Sequence, residues 1–469
     1  MLDKPLNPRG PELRDGTAIG ELIDREARAV SLRVMHDAEI HRLELEHLWA
    51  KAWIIVGHES EIAKAGDFVR RRIGEDKVIL VRQKDGSIRG MLNVCPHKGM
   101  QVCRTDAGNA QAFQCIYHGW TFNRDGSFRG APFKSAMYGD ALKPEEQGLR
   151  PLRVALAAGI IFACWDDDAP SLDNYLGSFR FYFDMIFDRA EGGLEVLGPP
   201  QRWVINANWK AIAEQFGGDN YHSATLHRSL AEMKLVPGDP NTPDYWGLNN
   251  KKVSTEEGHG CIIFELNAMY EAIASMTKGD TSTSLDKLRM TPPAGIPSSM
   301  VDYLADRFSP EELKMLAETP PSVGGLFPNI AIIAFMAPLP DHSLAATYGI
   351  HSFMPLGHDK MEYIHWNFVA KNAPQEYREQ CLFSSTLNIS TSGFVEQDDN
   401  EIYGALQESA RGFIGQQQSM QYLAISGDNK PEGWLGGGAV HTDFAKDDGQ
   451  WKWWLRYFDY MTGALQGGK

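Results

Sequence analysis

"NVCPHKGM" (residues 93–100) and "QCIYHGW" (residues 114–120) each set a cysteine and a histidine within a few positions of one another. The first pair is Cys95 and His97, the second Cys115 and His118, and seventeen residues separate His97 from Cys115. Short spacing lets one loop offer a thiolate and an imidazole together. Two neighbouring loops then offer four donors, a set that suits a tetrahedral zinc ion or a [2Fe–2S] cluster with histidines on one iron. Spacing alone leaves both open. A third reading, two loops with no metal, has to explain two Cys/His pairs in one context.

That context is β-rich. "KVILVRQ" (77–83), "SIRGMLNV" (87–94), "AFQCIYHGWTF" (112–122) and "GIIFACW" (159–165) are separated by turn signals such as "KDGS" and "NRDGSFRG". They predict a small antiparallel β domain over residues 41–165 with both pairs in its loops. Before it, residues 1–40 form an N-terminal segment, and apolar spacing over residues 28–52 predicts an amphipathic helix. After it, "DDDAPSLDNYLG" (166–177) reads as a linker. Residues 166–469 then mix helical stretches ("APQEYREQCLFSST", "FVEQDDNEIYGALQESARG") with strands ("NIAIIAFM", "KMEYIHWNFV"). The fold class is α+β, the second domain being a large antiparallel sheet with helices packed against it.

Composition narrows the function classes. Two domains suit 469 residues. A net charge of −15 argues against a general nucleic-acid binder. "VALAAGIIFACW" (154–165), the longest strongly apolar run, is too short to span a bilayer. The opening "MLDKPLNPRGPELRDG" has no apolar core of a secretory leader. Six cysteines in so long a chain are not a disulfide scaffold. The expectation is a cytoplasmic protein with no membrane segment.

A second constellation lies in "EQFGGDNYHSATLH" (214–227), which holds Asp219, His222 and His227. Asp219 and His222 share a helix face. His222 and His227 are about 140° apart around an ideal helix, so they converge on one ion only if the helix bends or widens between them. "GFVEQDDNE" (393–401) adds adjacent acids, Asp398 and Asp399.

The flanks "CPHKG" and "CIYHGW" resemble the two cluster loops of Rieske proteins, and "DNYHSATLH" resembles the D-x-x-H-x-x-x-x-H motif of Rieske non-haem iron oxygenases. With "GIIFACWD" and "GLEVLGPPQRWVINANWK" (193–210), the similarity spans about residues 40–410. The chain resembles the large (α) subunit of an aromatic ring-hydroxylating dioxygenase, nearest the polycyclic-aromatic and phthalate branch. The resemblance implies a Rieske [2Fe–2S] cluster on Cys95, His97, Cys115 and His118, with the cysteines on one iron and the histidines on the other. It implies a helix-grip catalytic domain whose mononuclear Fe(II) is held by His222, His227 and Asp399, with Asp398 as the alternative. Two His and one carboxylate leave positions open for O₂ and substrate.

Asp219 and Gln215 are the candidate catalytic groups. In the family, the carboxylate corresponding to Asp219 lies between His222 and the partner subunit's His118, which implies a ring of three α subunits, with or without a small β subunit (α₃β₃ or α₃). Phe216, Asn220, Ser223, Leu226, Ile389 and Val395 are the pocket candidates. Asn220 and Ser223 are more polar than a hydrocarbon pocket needs, yet no arginine lies inside these motifs to pair with a carboxylated arene. The implied reaction is cis-dihydroxylation of an arene with O₂, in aromatic hydrocarbon catabolism, with electrons from NAD(P)H through a reductase and ferredoxin. Mono-hydroxylation or demethylation uses the same ligands. A Rieske electron carrier is the remaining alternative, and it has no use for His222, His227 and Asp399.

Overall fold

The computed structural model describes residues 9–234, 250–271, 281–341, 343–442 and 445–464. The chain forms two compact units, Leu48–Leu172 and Met1–His47 with Asp173–Lys469. Among the described residues no helix is long and apolar enough to cross a membrane. The "DDDAPSLDNYLG" stretch spans the second crossing between units, at Leu172/Asp173.

The smaller unit is built on a seven-stranded sheet running Ile54–His58, Ile160–Cys164, Pro151–Ala157, Ile88–Leu92, Asp76–Arg82, Asp67–Ile73, Ala107–Asn109, and its pairings are antiparallel. A three-stranded sheet of Ala112–Gln114, Thr121–Asn123 and Phe128–Gly130 adds a second layer. Cys95 and Cys115 belong to the apolar core of this unit, with Phe68, Met91, Phe113 and Phe122.

The larger unit carries a nine-stranded antiparallel sheet. Its long central strands are Ile330–Pro338, Leu344–Pro355 and Met361–Ala370, flanked by Pro321–Leu326, Gly260–Phe264 and Asn250–Ser254. Helix Gln375–Ile389 lies along the strand Leu344–Pro355, and Ser384 on it donates to the Ala345 carbonyl at 3.2 Å. Helices Glu396–Arg411 and Asp448–Thr462 complete the frame. Every cysteine is buried and unpaired.

The N-terminal stretch differs from the single helix that its periodicity predicts. Ala29–Ser31 is a strand paired with Ser419–Gln421, and a 3₁₀ turn, Leu32–Met35, follows it. The helix begins only at Ala38, where the Asp37 carboxylate accepts the Glu39 N–H at 2.7 Å. Glu44, the last residue of this helix, is fully buried. It accepts from Lys210 Nζ at 2.5 Å, Tyr457 Oη at 2.6 Å and Trp209 Nε1 at 3.0 Å. Burial alone would raise the Glu44 pKa; attraction from Lys210 and these hydrogen bonds bring it down to about 2.

Candidate functional site

In the smaller unit two loops repeat one backbone pattern. Cys95 N–H donates to the Met100 carbonyl and Gly99 N–H to the Cys95 carbonyl, at 2.8 and 2.9 Å. Cys115 N–H donates to Trp120 and Gly119 N–H to Cys115 at the same two distances. Gly99 and Gly119 close these turns at φ 75° and 72°, which side-chain-bearing residues seldom adopt. Asn93, fully buried, fixes the first loop by accepting from Val102 and Cys103 N–H and donating to the Cys103 carbonyl.

The result is a buried thiol pair facing an imidazole pair. Burial raises the Cys95 thiol pKa, and the neighbouring Cys115 raises it further, while the His97 and Lys98 amides point at its sulfur and lower it. The His97 and His118 rings lie 4.5 Å apart between centroids, and His97 stacks on Trp120 at 4.8 Å. His97 Nδ1 is buried with no hydrogen-bond partner among the described residues. Two thiols, two imidazoles and an orphaned ring nitrogen fit a [2Fe–2S] cluster.

In the larger unit the "EQFGGDNYHSATLH" motif is not one helix. A turn at Gln215–Gly217 gives way to Gly218 at φ 155°, and two short helices, Ser223–Leu226 and Arg228–Glu232, meet at His227 (φ −93°, ψ 22°). That break supplies the bend that convergence requires, and the His222 and His227 ring centroids come within 5.4 Å. Asp399, in the first turn of helix Glu396–Arg411, joins them. One ligand atom from each of the three lies within 4.8 Å of the others.

The adjacent acids take different positions. Asp399 Oδ2 is 3.6 Å from His227 Nε2 and its Oδ1 is 4.0 Å from His222 Nε2; Asp398 Oδ2 is 3.5 Å from the far nitrogen of His227, Nδ1. Asp219 Oδ1 stands 3.2 Å from the far nitrogen of His222. Each imidazole thus has Nε2 turned to the centre and Nδ1 turned to a carboxylate, the arrangement that orients metal-bound histidines. Burial, then the neighbouring His222, lowers His227 to about 4, so it stays neutral as a ligand must. Asp399 Oδ1 is buried without a hydrogen-bond partner among the described residues. This donor set fits a mononuclear iron. Gln215 reaches the same centre, with Nε2 3.2 Å from His222 Nε2 and Oε1 accepting from Tyr403 at 2.7 Å.

The three residues face a cavity of about 910 Å³. Gln215, Phe216, Asp219, Asn220, Ser223, Ile389 and Val395 line it; Leu226 does not. The helix break explains this: Leu226 ends the first short helix, and Leu230, on the second, takes the place on the cavity wall. The sheet contributes residues outside the motifs, among them Ile262, Phe264, Ile333, Phe335 and Met336. Alternating apolar strands were the available signal, but strand periodicity does not say which face meets the iron. Arg189 also lines the cavity, with Nη2 donating to the Ala294 carbonyl at 2.5 Å.

Glycines hold the Gln215–Gly218 turn against three other elements. A methyl group added at Gly449 or Gly260 would overlap the Gly217 carbonyl oxygen, and one at Gly325 would overlap the Phe216 backbone. Gly449→Ala is therefore expected to displace the turn that carries Asp219 and His222. The checks are a lower thermal midpoint, about 1–3 kcal/mol of overpacking, and mononuclear iron loss with acid-labile sulfide retained.

A thiol–imidazole cluster site and a two-histidine, one-carboxylate site in one chain define a non-haem iron oxidoreductase with an iron–sulfur centre. The Rieske [2Fe-2S] domain family matches residues 52–145, and the ring hydroxylating alpha subunit (catalytic domain) family matches residues 194–427. The N,N-dimethyl phenylurea N-demethylase subunit alpha of Sphingobium sp. (strain YBL2) is 32% identical over 398 residues, 83% of each chain. The biphenyl 2,3-dioxygenase subunit alpha of Rhodococcus jostii (strain RHA1) is 32% identical over 411 residues, 87% of this chain and 83% of that one. The structure of naphthalene 1,2-dioxygenase from Rhodococcus sp. bound to indole superposes with a TM-score of 0.81 at 34% identity, covering 93% and 94% of the two chains. The chain belongs to the Rieske ring-hydroxylating dioxygenase α subunits. Members of that family work with electron-transfer components and an organic substrate.

Proposed function

We propose that this chain is the terminal oxygenase that cis-dihydroxylates an aromatic ring. The balance is arene + O₂ + NAD(P)H + H⁺ giving a cis-dihydrodiol and NAD(P)⁺, the electrons passing through a reductase and ferredoxin. One observation carries the reading: His222, His227 and Asp399 converge at the wall of a largely apolar cavity in a chain that also bears the cluster loops. When bound, the cluster supplies single electrons and the iron supplies the site where O₂ and arene react.

The chain's own groups do the rest. His222, His227 and Asp399 hold the iron, Asp219 and Asp398 fix the two imidazoles, and Cys95, His97, Cys115 and His118 hold the cluster. Phe216, Ile389 and Val395 give a flat ring an apolar bed and exclude water. The 910 Å³ volume favours an arene of more than one ring. Arg189 on the same wall favours an aromatic acid as the second reading. We assign the cluster to the unit Leu48–Leu172 rather than to residues 41–165, and the iron chemistry to the unit of Asp173–Lys469, with which Met1–His47 groups.

Asp219 is read as the link between His222 and His118 of the partner subunit in an α₃ or α₃β₃ ring. Two observations support a face for such docking. Ile116, Tyr117, Phe133 and Met137 are exposed apolar residues on the unit that carries the cluster loops. That unit holds 17 Lys and Arg against 14 Asp and Glu, whereas the whole chain has a net charge of −15. A nicotinamide electron source places the enzyme in the cytoplasm.

Metal and sulfide analysis tests the function. About three Fe and two acid-labile sulfides per chain are expected; zinc, or iron without sulfide, rules the reading out.

A further inference from the structure

Lys252, on the strand Asn250–Ser254, is 1% exposed. Its stem runs beside Gly218, whose added Cβ would lie 3.6 Å from Lys252 Cδ. The stem therefore lies next to the residue that precedes Asp219. Nζ donates to the Lys446 carbonyl at 2.9 Å and lies 5.7 Å from the Tyr221 ring centroid. Among the described residues no carboxylate reaches ion-pairing distance of it.

Four acids share this region. Glu214 is pushed up to about 8, by burial and then by Asp219. Asp447 accepts from Tyr221 Oη at 3.3 Å and from Ala424 N–H at 2.8 Å. Asp448 accepts from Ser426 and Gly427 N–H. Burial pulls Lys252 down to about 8, opposed first by Asp219 and then by Asp447 and Asp448. Asp447 and Asp448 are held by backbone donors from Ala424, Ser426 and Gly427, whereas Asp219 takes both the backbone N–H and the ring of His222, at 3.3 and 3.2 Å. A buried ammonium persists only where negative charge compensates it.

We propose that Lys252 is a positioning residue for Asp219, its buried positive charge beside Gly218 holding that carboxylate on His222 Nδ1. The inference rests on reading Asp219 as the link between the two metal centres. Lys252 acts there through its field and not through contact, since Nζ bonds to the Lys446 carbonyl and pairs with no carboxylate among the described residues. It touches neither substrate nor metal.

The test uses the fully loaded enzyme. Lys252→Gln keeps a donor for the Lys446 carbonyl and removes the charge; Lys252→Met is the second variant should the first fail to fold. Cluster-to-iron electron transfer, measured in a single turnover from the pre-reduced cluster, is expected to slow about 10- to 100-fold. The EPR spectrum of the nitric oxide adduct of the mononuclear iron changes, and the visible spectrum of the cluster does not. Lys252→Arg restores most of the rate. In an Asp219→Asn background, Lys252→Gln adds no further loss, because the two residues act in series.

A wild-type rate in Lys252→Gln, or an equal loss from it in the Asp219→Asn background, overturns the inference alone. A wild-type rate in Asp219→Asn overturns the bridging role and the inference with it.

Discussion

His222→Ala is expected to lower the iron content from about three to about two per chain and to abolish turnover, with the cluster spectrum and two sulfides retained. His222 supplies one of three donors lying within 4.8 Å of one another, and two remaining donors hold a divalent iron poorly. The cluster loops lie in the other compact unit and make their own backbone turns, so they do not depend on this imidazole. Iron and sulfide analysis beside the visible spectrum checks both halves. Retained turnover would remove His222 from the ligand set.

Glu44→Ala is expected to cost about 3–5 kcal/mol of stability at neutral pH, because it leaves the Lys210 ammonium buried without its anion. Glu44 and Lys210 side chains have no solvent exposure, and burial pushes the Lys210 pKa down. Tyr457 and Trp209 lose their acceptor at the same time. The pH dependence has a definite sign. Glu44 is depressed to about 2 from an ordinary value of 4.5, so its contribution is present above pH 4.5 and is lost as pH falls toward 2. The gap in denaturant midpoint between wild type and Glu44→Ala should narrow over that window. A constant gap down to pH 2 would mean the loss is one of packing and not of charge.

The cluster loops were legible because all four donors fall within 24 residues, and their turns are closed by local glycines and backbone hydrogen bonds. The strands around them announced themselves by β-branched and aromatic runs between Asp-Gly turns. The N-terminal helix was overestimated because spacing of apolar residues does not distinguish a helix from a strand and a turn that bury the same side chains; pairing with Ser419–Gln421 decided it. Leu226 is a pocket candidate because it belongs to the motif that carries the histidines, but where the required bend falls is not written in the spacing; the break at His227 puts Leu230 on the cavity wall instead.

The sequence by itself determined the donor types, their grouping into two constellations, the α+β class and the family resemblance, because those depend on residues close together in the chain. Tertiary structure alone decided the rest. It bent the motif so that two histidines five positions apart converge, brought Asp399 to them from 172 residues downstream of His227, and set Asp398 on the far nitrogen. It also chose the cavity wall from strands whose pattern says only that they are buried, and laid the Lys252 stem beside Gly218, the residue before Asp219. These are convergences of distant segments, fixed by how sheet and helices pack, and no local spacing encodes them.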